Sequence, residues 1–141
     1  MNKFFLSLAL FFALGVFIPV TVSAQGIEFF QGTWEQAVEK AKKEKKIIFV
    51  DCYAVWCGPC KYMSNTVFPD PQVGEFYNKN FINYKYDMEK GDGPTFANTY
   101  NITAYPTLMY IDGTGKVIHR VLGGQYKDNF IAEGEKALKA N

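Results

Sequence analysis

The spacing of apolar positions predicts the first helix and the first strand. Apolar residues recur at helical spacing over 34–45, and Thr33 and Gln36 have the separation of a capping box. The next segment, 47–53, is a run of apolar, β-branched and aromatic residues broken only by Asp51. A run of this kind is typical of a central strand that is buried on both faces. We therefore expect an amphipathic helix followed by a central strand.

Two prolines mark helix starts after this strand. Pro59 suits the first turn of a helix over 59–65, and Pro69 ends that helix because proline has no backbone N–H. A cap residue followed by proline, Asp70-Pro71, then predicts a second helix to about residue 79.

The rest of the chain predicts one more layer of sheet and helix. The expected elements are a strand at 81–88, a short helix from the 91–94 turn to about 101, a hairpin of strands 107–111 and 116–122 joined by 112–115, and a helix at 128–138. A short strand at 27–30 can precede them. The order α-β-α-β-α-β-β-α, without repeat or linker after residue 25, predicts a single α/β domain.

The first 24 residues have the pattern of a signal peptide. Lys3 precedes an uncharged apolar run over 4–18, Pro19 breaks that run, and small residues at 22–24 suit signal peptidase. Cleavage at the end of this segment would leave 25–141 as the mature domain.

An uncleaved membrane anchor is the alternative for this segment. Residues 4–22 are just long enough to span a bilayer if the proline is tolerated. Under either interpretation we expect the domain to be exported to a periplasmic or other extracytoplasmic compartment. Disulfides form in such compartments, which decides how the cysteines are interpreted.

Composition and charge exclude several classes of protein. The chain has 141 residues, of which 48% are hydrophobic and 17% aromatic, so it can close one core but not a second large domain. The formal net charge is +1, and no Lys/Arg cluster lies on a predicted groove or sheet face. The electrostatic footprint of nucleic-acid binding is therefore missing, and we expect no nucleic-acid partner.

The three cysteines lie within nine residues, as Cys52, Cys57 and Cys60. A disulfide framework cannot be built from cysteines placed so closely, which leaves one Cys-x-x-Cys pair, Cys57 and Cys60. Cys52 lies in the predicted strand, where it is better interpreted as a small buried hydrophobe than as a third redox thiol.

Half of a zinc or copper site is an alternative interpretation of the Cys57 and Cys60 pair. Such a site takes four ligands, and His119 is the only histidine, so we expect neither a metal nor another cofactor.

The position of the pair suggests different roles for the two thiols. Cys57 would stand at a helix N-terminus, where free N–H groups and the helix dipole lower a thiol pKa, so it is the candidate nucleophile. Cys60, one turn further and more shielded, would attack the resulting mixed disulfide and release the partner. Pro59 would stiffen the turn, and Gly58 would let a partner backbone approach.

Two separate runs of the sequence resemble the motifs of a known family. The run VDCYAVWCGPCK at 50–61, followed by Tyr105-Pro106-Thr107 and a hairpin, resembles thioredoxin. The run FPDPQV at 68–73 further resembles the exported branch that includes the periplasmic C-terminal domain of membrane disulfide reductases. The resemblance covers 33–138 and implies a thioredoxin fold, with a central mixed β-sheet flanked by helices.

The resemblance implies a catalytic role for Asp51. In thioredoxins the matching acid serves the resolving cysteine, so Asp51 would deprotonate Cys60 through water, with a pKa raised by burial. The alternative is a structural acid satisfied by backbone N–H groups. Thioredoxins often carry a lysine near this acid, whereas counting back from Asp87 places Asn83 there, with Lys85 two residues on.

The resemblance also implies the substrate surface. Pro106 would be the family's cis-proline, facing the cysteine pair, and the alternative is an ordinary proline at the start of a strand. Tyr105 and Trp56 would shape the surface that binds substrate, although either aromatic ring could simply be packing. The pair Gly123-Gly124 resembles the family's glycine beside the site, or is a loop glycine pair.

The implied function is thiol:disulfide oxidoreductase chemistry on protein disulfides and dithiols. Gly-Pro between the cysteines, as in thioredoxin, favours a reductant, which outside the cytoplasm would need a membrane electron donor. One alternative is an oxidase or isomerase that uses the same cysteines. The other is a peptide-binding module without turnover. Nothing in the sequence demands an oligomer, so we expect a monomer.

Overall fold

The computed structural model describes residues 25–141, so the predicted signal peptide or anchor at 1–24 lies outside the described residues. The described elements are α1 Trp34–Glu44, β1 Ile47–Tyr53, α2 Gly58–Tyr62, a π-helical turn Met63–Val67, α3 Pro71–Asn80, β2 Phe81–Asp87, α4 Gly93–Thr99, β3 Thr107–Ile111, β4 Val117–Leu122 and α5 Lys127–Lys139. The observed order is α-β-α-α-β-α-β-β-α, because the helices predicted after Pro59 and after Asp70 are both present between β1 and β2. It confirms the predicted single α/β domain. No helix within 25–141 is long and apolar enough to cross a membrane.

β1 is the centre of a four-stranded mixed sheet of order β2-β1-β3-β4. It runs parallel to β2 and antiparallel to β3, and β4 pairs antiparallel with β3 at the edge. Its first six residues are buried, as the apolar run broken only by Asp51 predicts. The chain leaves the sheet at the carboxyl end of β1 and enters α2 after a short connection, which places the cysteine pair at this end.

A core lies on each face of the sheet, and the aromatic residues of one core fix α3 and α5. Phe49 of β1 packs edge-on against Tyr77 of α3 and against Phe130 of α5, with ring centroids 5.0 and 5.2 Å apart. Tyr77 and Phe130 stack on each other at 4.1 Å. Each fully buried aromatic side chain of this kind contributes roughly 1.5–3 kcal/mol to folding. These contacts hold α3 and α5 against β1, the strand that leads to the cysteine pair.

The predicted helix after Pro59 is present, but it has two parts. α2 ends at Tyr62, and the chain continues as a π-helical turn in which the Phe68 N–H donates to the Met63 carbonyl at 2.8 Å. Met63 and Val67 are buried by this turn, whereas Tyr62 stays partly exposed. Turns of this type are often found at functional sites.

The predicted strand at 27–30 is wrong. The Ile27 N–H donates to the Phe68 carbonyl and the Phe30 N–H to the Asn83 carbonyl, each at 2.7 Å. The two bonds go to different elements, so no ladder with a single partner strand can form. The segment has no regular secondary structure and is bonded to the end of the π-helical turn and to β2.

Candidate active site

The two cysteines of the Cys-x-x-Cys pair are joined as a disulfide, with their Sγ atoms 2.08 Å apart. Cys57 is the N-cap residue of α2, and Cys60 lies in the first turn. The Cys60 N–H donates to the Cys57 Sγ at 3.2 Å. A donor aimed at sulfur stabilises negative charge on it, so the local geometry suits Cys57 as the thiolate.

The expectation that Cys60 is the more shielded cysteine is wrong. In the disulfide form Cys57 is 1% exposed and Cys60 3% exposed. Ala54 forms one buried cluster with both cysteines, and Tyr53 and Tyr105 pack against this cluster, so burial does not distinguish Cys57 from Cys60. What distinguishes them is the helix terminus, which only Cys57 occupies as the cap.

The residues beside the pair leave one side of the turn open. Gly58 and Pro59 are exposed, and a Cβ at Gly58 would meet no atom within 4 Å. Trp56 is 64% exposed, and its indole N–H donates to both carboxylate oxygens of Glu89 at 3.0 Å. Its ring stands edge-on to Tyr105, with centroids 5.9 Å apart. Trp56 therefore lies on the surface, held by Glu89 and Tyr105, and is not part of the core.

The peptide bond between Tyr105 and Pro106 is cis, as the resemblance implies, and Pro106 is not an ordinary proline at the start of a strand. Its carbonyl accepts the Gly123 N–H at 2.8 Å, and Gly123 has φ +87°, a conformation that favours glycine. A Cβ on Gly124 would lie 3.2 Å from the Cβ of Pro59. Gly124 therefore lies against the active-site turn, and Gly123 is bonded to the cis-proline. The sequence signal for these glycines is a Gly-Gly pair at the end of a strand. This signal does not distinguish a glycine beside the active site from an ordinary pair of loop glycines.

Asp51 lies inside the sheet, 1% exposed. Among residues 25–141 no N–H or O–H donates to either of its carboxylate oxygens, and the nearest cation, Lys85 Nζ, is 3.7 Å away, beyond hydrogen-bond distance. The interpretation as a structural acid satisfied by backbone N–H groups is therefore wrong. Burial raises the pKa of Asp51 to about 6, and the nearby Lys85 charge partly opposes that rise.

Lys85, and not Asn83, is the residue beside Asp51. The parallel register pairs Asp51 with Lys85, whereas Asn83 pairs with Phe49. The Lys85 ammonium also donates to the Ser64 hydroxyl and lies 4.9 Å from the ring centroid of Tyr53. Counting from Asp87 missed this lysine because the offset between parallel strands depends on the helix packing between them, which the sequence does not display.

The remaining candidates lie outside this constellation. Cys52 is fully buried, and burial raises its thiol pKa well above the ordinary value, as expected of an inert cysteine. His119, in β4, pairs through Nε2 with the carboxylate of Glu133 in α5. Across 25–141, no group of three or more His, Cys, Asp or Glu side chains is arranged to hold a metal ion.

Comparison with known proteins supports the same family. A family model described as "Thioredoxin-like domain" matches residues 34–138. Thioredoxin Y, chloroplastic, of Oryza sativa subsp. japonica is 36% identical over 107 residues, which cover 76% of this chain and 60% of the rice protein. The thiol:disulfide interchange protein DsbD of Pseudomonas fluorescens is 29% identical over 107 residues, which cover 74% of this chain and only 18% of DsbD.

A solved structure agrees with both sequence matches. The solution structure of a protein from Bacteroides thetaiotaomicron, whose assignment as a disulphide-isomerase is itself provisional, superposes with a TM-score of 0.73. It is 37% identical, and the match covers 84% of this chain and 98% of that one. The fold, the cysteine pair and these matches agree: the chain belongs to the family of thioredoxin-like domains.

Proposed function

We propose that this chain reduces disulfides of partner proteins outside the cytoplasm, by thiol–disulfide exchange at Cys57 and Cys60. One observation carries the proposal. The Cys57 sulfur caps α2, accepts the Cys60 N–H, and lies in a turn whose Gly58 and Pro59 are open to a partner. Thiol:disulfide oxidoreductase chemistry is what the family and this pair have in common.

The exchange occurs in two balanced steps. In the dithiol form, the Cys57 thiolate attacks one sulfur of the partner disulfide, a Cys57–partner bond forms, and the other partner sulfur leaves as a thiolate that takes up a proton. The Cys60 thiolate then attacks the Cys57 sulfur, which forms the observed Cys57–Cys60 disulfide and releases the second partner sulfur as a thiol. Two electrons and two protons pass to the partner.

Asp51 is proposed as the base for the second step. The Cys60 thiol must lose its proton before it attacks, and a carboxylate with a pKa of about 6 is mostly ionised at neutral pH. Because no group in 25–141 donates a hydrogen bond to the Asp51 carboxylate, that carboxylate is free to accept the Cys60 proton through water. Lys85, at 3.7 Å, keeps the pKa of Asp51 from rising further.

The direction of electron flow is supported by the Gly-Pro pair between the cysteines and by the similarity to Thioredoxin Y. The likeness to the Bacteroides thetaiotaomicron protein favours a second candidate, in which the same pair isomerises disulfides. Trp56, Tyr105 and Pro106 would form the surface that binds the partner in both cases.

The proposed location outside the cytoplasm is supported by the signal-like pattern at 1–24 and by the match to part of DsbD. A domain in that compartment has no access to cytosolic reductants, so we propose a membrane protein as its electron donor. The chain would act as a monomer, since one chain contains every group of the exchange site.

The reduction potential of the Cys57–Cys60 pair tests the direction. The purified protein is equilibrated with defined dithiol buffers, and its redox state is measured by alkylation and by Trp56 fluorescence. We expect a value near that of thioredoxin, about −270 mV. A value near that of protein disulfide isomerase, about −180 mV, or of the oxidant DsbA, about −120 mV, would reverse the proposed direction.

A further inference from the structure

Exposed apolar side chains concentrate around the exchange site. Among residues 25–141 the large hydrophobic side chains with high exposure are Val55, Trp56, Tyr62, Leu122, Tyr126 and Leu138. All but the last lie within two residues of the cysteine pair or of the Gly123-Gly124 loop that packs on Pro59. Apolar surface gathered in one place on a small domain indicates a surface that binds something.

Two of these side chains, Tyr62 and Tyr126, form a cleft of their own. Their rings meet edge-on, with centroids 5.7 Å apart. Together with Gly124 and Gln125 they line a cleft of about 160 Å³. A cleft of this size accepts one side chain, whereas sites for small-molecule ligands are usually about 300–1,000 Å³.

Neither the helix nor the core accounts for Tyr126. It stands at the N-cap of α5, where it makes no side-chain cap hydrogen bond, although Ser, Thr, Asp or Asn would make one. It is also 72% exposed, so it adds little to the core. A residue that breaks a local rule without a compensating contact is a candidate for a role at the surface.

The cleft is held in place by contacts to the exchange site and to the π-helical turn that follows α2. The Gln125 N–H donates to the Met63 Sδ at 3.5 Å, and the Gly123 N–H donates to the Pro106 carbonyl at 2.8 Å. The absent side chain of Gly124 lets the loop lie directly on Pro59. The cleft is therefore a continuation of the surface around the cysteines and is already formed in the unbound protein.

We infer that Tyr62 and Tyr126 bind an aromatic or branched aliphatic side chain of the partner, on an extended segment two or three residues from the cysteine that Cys57 attacks. This inference rests on the proposed function. Tyr62 lies five residues after Cys57, about 7.5 Å along a helix axis. An extended chain advances about 3.3 Å per residue, so a side chain two or three residues away reaches the cleft.

Two matched peptides test the inference with the full-length protein. Each is joined to glutathione through a disulfide at its single cysteine. One peptide has phenylalanine at the second and third positions on both sides of that cysteine, and the other has serine at these positions. The readout is the ratio of kcat/KM for the two peptides, measured for the wild type, Tyr126→Ser, Tyr126→Phe and Leu138→Ser.

We expect the wild type to prefer the phenylalanine peptide by about tenfold, the lower end of what one apolar pocket provides. Tyr126→Ser, which can cap α5, should lose most of this preference, whereas Tyr126→Phe and the remote control Leu138→Ser should keep it. An unchanged ratio in Tyr126→Ser, or an equal loss of rate with both peptides, would overturn the subsite.

Three further outcomes are informative, and the first two distinguish failure of this inference from failure of the proposed function. A wild type that reduces both peptides equally well would leave the exchange chemistry standing and remove the subsite. A wild type that reduces neither peptide would remove the proposed function and the subsite together. A wild-type dimer in sedimentation that Tyr126→Ser dissociates would assign the cleft to a second copy of the chain and overturn the inference.

Discussion

Cys52 and Cys57 are five residues apart, and their surroundings give them opposite chemistry. Cys52 lies inside β1, where burial raises its thiol pKa well above the ordinary value. Cys57 is just as buried in the disulfide form, but it caps α2 and its sulfur accepts the Cys60 N–H. The helix terminus, and not exposure, therefore distinguishes Cys57, the proposed nucleophile, from the structural Cys52.

Replacing Cys57 and Cys52 separately should give the largest difference in turnover of a protein disulfide. We expect Cys57→Ser to abolish reduction of protein disulfides, because no thiolate remains at the start of α2. Cys52→Ala should keep the wild-type rate and lose about 1 kcal/mol of stability through a small cavity. Turnover of a protein disulfide and urea unfolding check the two results. Loss of turnover in Cys52→Ala would show that the buried thiol is not inert.

Partner binding and multiple turnover together provide a further test of the role of Cys57. If the protein were a binding module without turnover, Cys57→Ser would keep its affinity for partners, and the wild type would show no exchange. We expect the wild type to turn over many equivalents of disulfide per chain under a dithiol reductant. A stoichiometric, single reaction would favour the module.

Asp51→Asn removes the proposed base and should give the next largest effect. We expect release of the mixed disulfide at pH 7 to slow by about 10²-fold, the usual contribution of a positioned base. In the wild type this rate should rise with pH through about 6, as the Asp51 carboxylate ionises. Stopped-flow measurement of the release step across pH checks both. A variant with the wild-type rate and pH profile would exclude Asp51 as the base.

The same substitution should stabilise the fold. The pKa of Asp51 is raised from 3.8 to about 6 in the folded protein, so its contribution to stability is fully present below pH 3.8 and is lost as pH rises through about 6. At pH 7 this loss amounts to about 3 kcal/mol. We therefore expect Asp51→Asn to unfold at higher urea than the wild type at pH 7, and the difference to vanish near pH 4. An Asp51→Asn protein that is less stable at pH 7 would contradict an unpartnered buried carboxylate.

Lys85→Met should produce the smallest of these effects. Removing the ammonium at 3.7 Å takes away the charge that holds down the pKa of Asp51, so the pH midpoint of the release step should rise by about one unit. Lys43→Met, an exposed lysine of α1, is the matched control and should leave the midpoint unchanged. A midpoint that does not move would mean that Lys85 and Asp51 are not coupled.

The sequence predicted the elements of β1 and β3 to the residue, because each is a buried apolar run bounded by clear punctuation. It also predicted the cysteine pair and the cis-proline, since a short motif and a family resemblance carry them. The sequence did not predict contacts that depend on how distant segments of the chain pack together. The register that brings Lys85 to Asp51 is one case, and the contact between Tyr62 and Tyr126 is another.

Trapping the mixed disulfide tests the central claim most directly. Cys60→Ser removes the resolving thiol, so a partner disulfide attacked by Cys57 should stay attached to the chain and be visible by mass spectrometry as a covalent complex that a dithiol reverses. Cys57→Ser, with Cys60 intact, should form no such complex at a comparable rate. A complex that forms equally through Cys60 in Cys57→Ser, or none in Cys60→Ser, would contradict attack by Cys57 and resolution by Cys60.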